Sequence, residues 1–203
     1  MKKIIILSLV LSIFSFTSCK KKEKKEAKPA EKSYSVDTKK TVVNWIAFKT
    51  TSKVPVKGQF TEIIIENTKK DSTIMGALNG LKFSIPISSL ITNDTIRDGK
   101  LKKFFFGTMK NTTLISGTIN MNSKNSGSVD ITMNGISYAM PVTYIISDKK
   151  AHMFAVMNLD NWQAQTAIAA LNTVCKDLHS GTDGISKTWS DVNIEVAIQL
   201  NYE

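Results

Sequence analysis

The sequence predicts a mainly β fold: a single eight-stranded antiparallel barrel with one helix of about four turns and a short helical loop. Apolar and polar residues alternate along several runs, which is the period of a strand with one buried face. Asn134-Gly135 stands between two such runs and is typical of a tight hairpin turn. Closing eight strands into a barrel would remove exposed edges, and the interior would be filled by side chains or hold one small ligand.

The predicted strands follow one another from residue 43 to the C-terminus. The clearest hairpin joins residues 129–133 to 136–140, a second turns at residues 148–150, and the most regular strand covers residues 192–202. Pro86 has no N–H for a ladder and should lie near an edge or a bend. Apolar positions of these runs form the expected internal face: Val43, Trp45, Phe60, Phe83, Ile85, Met133, Met140, Met153 and Ile194.

Two segments interrupt the strands. Residues 162–178 place apolar side chains at spacings of three and four, which predicts a helix with one apolar face. Asp160 or Asn161 is expected to cap its start, and Gly181 lies just beyond its end. Residues 93–105 predict the shorter, more polar helical loop.

Composition narrows the function classes. Of 203 residues, 42% are apolar, which suits one folded domain and excludes wholesale disorder. The net charge is +10, but residues 1–33 contain nine Lys and three Glu, so the remainder carries only +4. Arg97 is the only arginine, which argues against a nucleic-acid partner. The sequence has no phosphate-binding Gly loop, G-x-S-x-G or H-E-x-x-H motif, so we expect a protein that is not an enzyme.

The N-terminus is expected to be a lipoprotein signal. Lys2 and Lys3 precede an apolar stretch over residues 4–16, and Phe16-Thr17-Ser18-Cys19 resembles a bacterial lipobox. This predicts a signal peptide over residues 1–18, a diacylglycerol on Cys19, a Lys-rich flexible tether over residues 19–33 and a barrel domain over residues 34–203. The protein would then be anchored in a membrane of the cell envelope, on the periplasmic side. An ordinary secretory signal is the alternative.

Cys175 and His179 are four residues apart on one predicted helix face. With Asp177 or Asp183 they could form a metal site, but structural zinc needs four ligands. A buried structural Cys beside a His at a helix end is the favoured interpretation, so we expect no metal.

Several strings resemble the YceI-like family, lipocalin-like periplasmic barrels that bind isoprenoid lipids. They are Tyr34-Ser35-Val36-Asp37, Val43-Asn44-Trp45, Gly58-Gln59-Phe60, Ser88-Ser89-Leu90, Arg97-Asp98-Gly99-Lys100-Leu101 with Phe104-Phe105, and the hairpin at residues 127–142. Lys100 replaces a His of the family pattern, and residues 162–189 are not part of the common pattern.

The resemblance implies a quinone or polyprenyl lipid in a lumen lined by the nine residues of the expected internal face. Methionine suits such a lumen because its unbranched side chain adapts to an apolar ligand. Arg97 and Lys100 are expected headgroup contacts, since a cationic rim could face an anionic group. The alternative is a structural or interaction lipoprotein with a filled barrel that docks through residues 162–189.

Overall fold

The computed structural model of the chain describes residues 32–111 and 113–203. The predicted signal peptide, Cys19 and nearly all of the predicted tether lie outside the described residues. The strands are β1 (Tyr34–Val36), β2 (Val42–Lys49), β3 (Val54–Phe60), β4 (Ile64–Ile65), β5 (Lys82–Pro86), β6 (Leu90–Ile91), β7 (Leu114–Met121), β8 (Ser126–Met133), β9 (Ile136–Ser147), β10 (Lys150–Asn158) and β11 (Thr188–Tyr202). The α-helices are α1 (Ile74–Leu78), α2 (Thr95–Lys100), α3 (Gln165–Val174) and α4 (Lys176–His179). None of the helices in these two ranges is both long and apolar enough to cross a membrane.

All strands belong to one curled antiparallel sheet. Its order is β4-β5-β7-β8-β9-β10-β11-β2-β3-β6, and β1 adds to β11. The predicted count of eight strands is wrong, since the described residues form eleven. The three additional strands, β1, β4 and β6, are two or three residues long, too short to show an alternating pattern.

The expected full closure into a barrel also needs correction. The hydrogen-bonded order ends at β4 and β6, which do not pair with each other in the described residues. The chain itself joins the two ends of this strand order. β5 pairs with β7 near one end, and β6, which begins four residues after Pro86, pairs with β3 at the other end. A 3₁₀ turn at Ile87–Ser89 joins β5 to β6, so Pro86 lies at a bend, as predicted.

The predicted hairpins are confirmed. Asn134 and Gly135 both have positive φ, 53° and 73°, which is the geometry of a type I′ turn. The second hairpin turns at Asp148 and Lys149, and Ser147 pairs with Lys150. β11 is the longest strand and pairs with β10 on one side and β2 on the other.

The predicted four-turn helix is shorter and broken. A 3₁₀ turn at Leu159–Trp162 and a left-handed Gln163 (φ 52°) precede α3, and Cys175 separates α3 from α4. The expected caps at Asp160 and Asn161 are wrong, because α3 begins after Ala164 without a side-chain cap. Trp162 explains the interruption, since its Nε1 donates to the Ile131 carbonyl 2.9 Å away and thereby holds the chain against β8.

The predicted helical loop is confirmed at residues 93–105. Asp94 caps α2 by accepting the Arg97 N–H at 3.0 Å, and the helix continues as a π-helix over Leu101–Phe105. Residues of this π-helix and of α3 pack against the inner face of the sheet, where the hydrophobic core lies. The two helical segments therefore cover one side of the curled sheet.

Candidate functional site

An apolar cavity of about 190 Å³ lies on the inner face of the curled sheet. Its wall, as the described residues form it, contains no charged side chain, and only Thr41 and Thr188 among its residues carry a hydroxyl. The nine residues of the expected internal face all lie on this wall: Val43, Trp45, Phe60, Phe83, Ile85, Met133, Met140, Met153 and Ile194. Strand alternation explains the placement, because residues two apart point to the same face. Their role as ligand contacts remains a prediction.

The size of the cavity limits what enters it without rearrangement. Pockets that hold drug-sized ligands are commonly about 300–1,000 Å³, and this cavity of about 190 Å³ is smaller. Four methionines line it, namely Met133, Met140, Met153 and Met157. Methionine has three rotatable bonds and a soft thioether, so these side chains can make room for a long apolar ligand.

Helical residues that the sequence analysis did not place in the lumen complete the wall. Leu101, Phe105 and Phe106 come from the π-helix and the turn after it, and Ile168 and Leu171 come from α3. The spacing of three between Ile168 and Leu171 already indicated an apolar helix face. Which surface that face covers depends on the tertiary contact of α3 with the π-helix and β11.

Trp45 forms an aromatic part of the cavity wall and carries a hydrogen-bond donor without a partner among the described residues. Its indole lies directly over Gly58, its cross-strand partner on β3, and any side chain at that position would clash with the ring. Its Nε1 is buried and has no hydrogen-bond partner among the described residues. A buried N–H without a partner costs free energy that an acceptor would recover. In this part of the chain, Trp45 Nε1 is therefore the one buried side-chain donor of the wall without a hydrogen-bond partner.

The expected headgroup residues Arg97 and Lys100 lie on α2 and are not part of the cavity wall. The Arg97 guanidinium donates to Asp94 Oδ2 at 3.1 Å. Asp98 Oδ1 accepts from the N–H and the hydroxyl of Thr92, at 2.8 and 2.6 Å, and so ties α2 to the end of β6. Arg97 and Lys100 as headgroup contacts remain a prediction.

His179 belongs to a polar network at the end of α4. Thr188 donates its hydroxyl to Asn172 Oδ1 at 2.9 Å, so His179 Nδ1, 2.7 Å from the same hydroxyl oxygen, carries the hydrogen. Burial lowers the pKa of His179 to about 4, and the charges of Lys49 and Lys100 add to this effect. His179 is therefore neutral at pH 7.

Cys175 is a buried free thiol between α3 and α4. Within residues 32–111 and 113–203, no cluster of three or more His, Cys, Asp or Glu side chains is placed to hold a metal ion. Cys175 packs in the hydrophobic core, and His179 bonds to Thr188. Both side chains are thus engaged within the described fold, and the absence of a metal stays a prediction.

Comparisons with known proteins agree with this architecture. A polyisoprenoid-binding domain from Saccharophagus degradans superposes with a TM-score of 0.59 at 14% identity, covering 84% of this chain and 97% of its own. Burkholderia cenocepacia BcnA superposes with a TM-score of 0.53 at 14% identity, covering 82% and 99%. The Campylobacter jejuni YceI protein superposes with a TM-score of 0.51 at 17% identity, covering 73% and 85%.

At these identities the structural likeness shows a shared fold. A comparison with curated proteins finds no match. The model of the YceI-like domain, however, matches residues 34–201, which is most of the chain. This protein therefore belongs to the YceI-like family.

Proposed function

We propose that this protein binds an isoprenoid lipid in its lumen and carries or sequesters it without catalysing a reaction. The observation that supports this most directly is the wall of the cavity, which has no charged group among the described residues and is rich in methionine. Such a surface offers shape and dispersion contacts to a hydrocarbon chain and offers no general acid, base or nucleophile. Membership of a family that includes a polyisoprenoid-binding domain adds support.

Desolvation of the prenyl chain would provide the driving force. Each buried CH₂ contributes about 0.8 kcal/mol, so affinity should rise with the number of isoprene units until the lumen is full. The sheet presents side chains from nine strands to one ligand, and the four methionines adjust as the chain lengthens. Binding would therefore enlarge the cavity beyond its present 190 Å³.

Lipid extraction tests the proposal. The full chain is purified after exposure to bacterial membrane lipids, extracted with organic solvent and analysed by mass spectrometry. We expect one prenyl lipid per chain. A matched variant, Met140→Lys, puts a charge on the cavity wall and should lose the lipid, whereas Ile145→Lys on the exposed outer face of the same strand should retain it. Absence of prenyl lipid from the parent protein would contradict lumen binding.

We further propose that a neutral acceptor on the ligand, such as a quinone carbonyl, receives a hydrogen bond from Trp45. The Nε1 of Trp45 has no partner among the described residues, whereas the other uncharged donors of the wall, on Thr41, Thr188 and Trp189, bond within the protein. A charged phosphate would require cationic partners, and the described part of the wall provides none. This favours a quinone over a polyprenyl phosphate as the ligand.

Trp45→Phe separates the contribution of the aromatic ring from that of the hydrogen-bond donor. Phenylalanine keeps an aromatic ring over Gly58 and removes the donor. Loss of one hydrogen bond, about 0.5–1.5 kcal/mol, should weaken binding of a short-tailed ubiquinone about three- to tenfold by calorimetry. Binding of squalene, which has no acceptor, should stay within twofold. Equal weakening for both ligands would show that Trp45 acts through shape alone.

We also propose that Cys19 is acylated and anchors the protein to a membrane on the periplasmic side of the cell envelope. The lipobox-like string before Cys19 and the Lys-rich segment after it support this. Two or more acyl chains would give stable anchoring. Metabolic labelling with palmitate should mark the parent protein and not Cys19→Ser, and the variant should fractionate with soluble proteins. Labelling of both would contradict acylation at this residue.

An interaction protein that docks through residues 162–189 remains the second candidate. Leu178 and Ile185 favour it, because both are large apolar side chains exposed on this segment. Trp162 does not contribute to such a surface, since it is fully buried. Charge substitutions at Leu178 and Ile185 that abolish co-purification of a protein partner, in a chain that yields no lipid, would support this second function.

A further inference from the structure

Strands β9 and β10 separate before either one ends. Their ladder starts at the hairpin and stops where Thr143 faces Phe154. β9 nevertheless extends back to Ile136, and β10 extends forward to Asn158. From this point β9 pairs only with β8 and β10 only with β11, as far as the described strands show. A gap therefore opens in the sheet between residues 136–142 and residues 155–158.

Pro141 supplies a physical reason for the gap. The Tyr144 N–H donates to the Asn125 carbonyl on the β8 side. Because successive N–H groups of a strand point to opposite sides, the backbone of residues 143 and 141 faces β10. The next rung of the ladder would need an N–H from Pro141 toward Val156, and proline has none. The ladder stops at the last residue that can donate.

The gap lies between the inner cavity and an outer groove. This groove, of about 960 Å³, crosses the outer face of β10 and β11. Five residues line both spaces: Trp45, Val142, Phe154, Ala155 and Ile194. Val142, Phe154 and Ala155 lie where β9 and β10 part, whereas Ile194 and Trp45 belong to the neighbouring strands β11 and β2. The rings of Tyr138, on β9, and Trp162, four residues after the end of β10, pack edge to face with their centroids 5.3 Å apart.

The rim of the gap is apolar although it faces solvent. Val156 is 67% exposed and Phe154 is 39% exposed, and both project from β10. Pro141 and Ala139 occupy the opposite rim on β9 and are also exposed. An apolar chain could cross this rim without losing hydrophobic contact. A charged or strongly hydrated molecule would find no polar partner among these four side chains.

We propose that the gap between β9 and β10 is a lateral portal through which the prenyl chain enters and leaves the lumen. The proposal rests on the proposed lumen binding and adds the route. The chain slides between Pro141 and Val156, passes Ala155 and reaches the methionine-lined wall. Opening requires no ladder hydrogen bond between the described strands to break, because none joins them at this place. The portal controls exchange rates, while the lumen wall controls affinity.

Substitutions on the outer face separate route from affinity. Val156→Arg places a charge on the rim, and Ile145→Arg places the same charge on β9 where it pairs with β10. The two positions are similarly exposed, at 67% and 60%. Stopped-flow mixing of the full chain with a short-tailed ubiquinone, followed by quenching of tryptophan fluorescence, gives the rates. We expect Val156→Arg to slow association and dissociation each about tenfold with unchanged Kd, and Ile145→Arg to match the parent.

A second pair of variants tests the cause of the gap. Pro141→Thr restores an N–H facing β10, and Pro55→Thr makes the same change in β3, away from the gap. We expect Pro141→Thr to slow exchange and to protect the new amide from hydrogen exchange, and Pro55→Thr to leave ligand exchange unchanged. If Val156→Arg and Pro141→Thr both keep rates within twofold of the parent, the portal is refuted. A parent protein that does not bind the quinone would instead refute lumen binding itself.

Discussion

Gly58→Ala is the sharpest test of how the lumen wall is built. Gly58 lies opposite Trp45 across the β2–β3 ladder. A Cβ at this position would overlap Cζ2 of the indole and would lie 2.5 and 2.7 Å from Cε2 and Cη2, far inside van der Waals contact. The Trp45 ring would have to leave its place in the wall, although it is almost fully buried there.

The size of the effect follows from two opposing contributions. Overpacking of a filled site costs about 1–3 kcal/mol, whereas replacing Gly by Ala inside a strand gains about 0.5–1 kcal/mol. With the gain subtracted from the cost, we expect Gly58→Ala to lower the free energy of unfolding by up to about 2.5 kcal/mol. In a Trp45→Val background the clash is gone, and the same substitution should raise the free energy by about 0.5–1 kcal/mol. The effect therefore changes sign with its neighbour.

Urea denaturation followed by far-UV circular dichroism measures both backgrounds. Gly99→Ala is the matched control, because a Cβ on this α2 residue would meet no atom from another part of the fold within 4 Å. It should raise the free energy of unfolding by up to about 1 kcal/mol. Equal effects of Gly58→Ala with and without the indole would refute the reasoning, since the clash would then not determine stability.

Three further perturbations have defined outcomes. Trp162→Phe should cost about 2–3 kcal/mol in urea denaturation, because a hydrogen bond worth about 1 kcal/mol and buried ring area are lost together. Trp189→Phe, at a partly exposed residue with the same type of bond, should cost less than about 1 kcal/mol. Equal losses would contradict the difference in burial. The pKa of His179 is about 4 in the folded protein against 6.5 ordinarily, so its neutral form stabilises the fold above pH 6.5 and this contribution is lost as the pH falls toward 4. His179→Gln should flatten that part of a stability–pH curve, and an unchanged slope would assign it to other groups. Asn134→Ala should cost about 2 kcal/mol by thermal denaturation. Alanine tolerates the left-handed φ of this position less well than asparagine, and the hydrogen bonds of the side-chain amide with Lys110 and Trp162 are lost. A loss below about 0.5 kcal/mol would contradict this account.

The strands of the lumen were predictable because their signal is local. Period-two alternation places Val43, Trp45 and Phe60 on one face whatever their partners are, and the structure puts them on the cavity wall. The type I′ turn at Asn134-Gly135 is equally local, since it depends on the φ angles of two residues. Short strands such as β4 and β6 escaped prediction, because two residues carry no period.

The helical residues of the wall could not be assigned from the sequence. The spacing of Ile168 and Leu171 indicates an apolar face but not the surface it covers. The break at Gln163 and the late start of α3 follow from Trp162, which is held by a carbonyl 31 residues away in sequence. Such contacts override the local preference for one continuous helix.

The sequence by itself determined the β class, the apolar inner face, the tight hairpins and the family resemblance. Each of these depends on residues that are neighbours along the chain or two positions apart. Only the tertiary structure decided that helical segments complete the lumen, that Trp45 lacks a hydrogen-bond partner among the described residues and that β9 leaves β10 at Pro141. The physical reason is that cavity shape and ladder length depend on which distant strands and helices meet, and alternation along one strand carries no information about its partners.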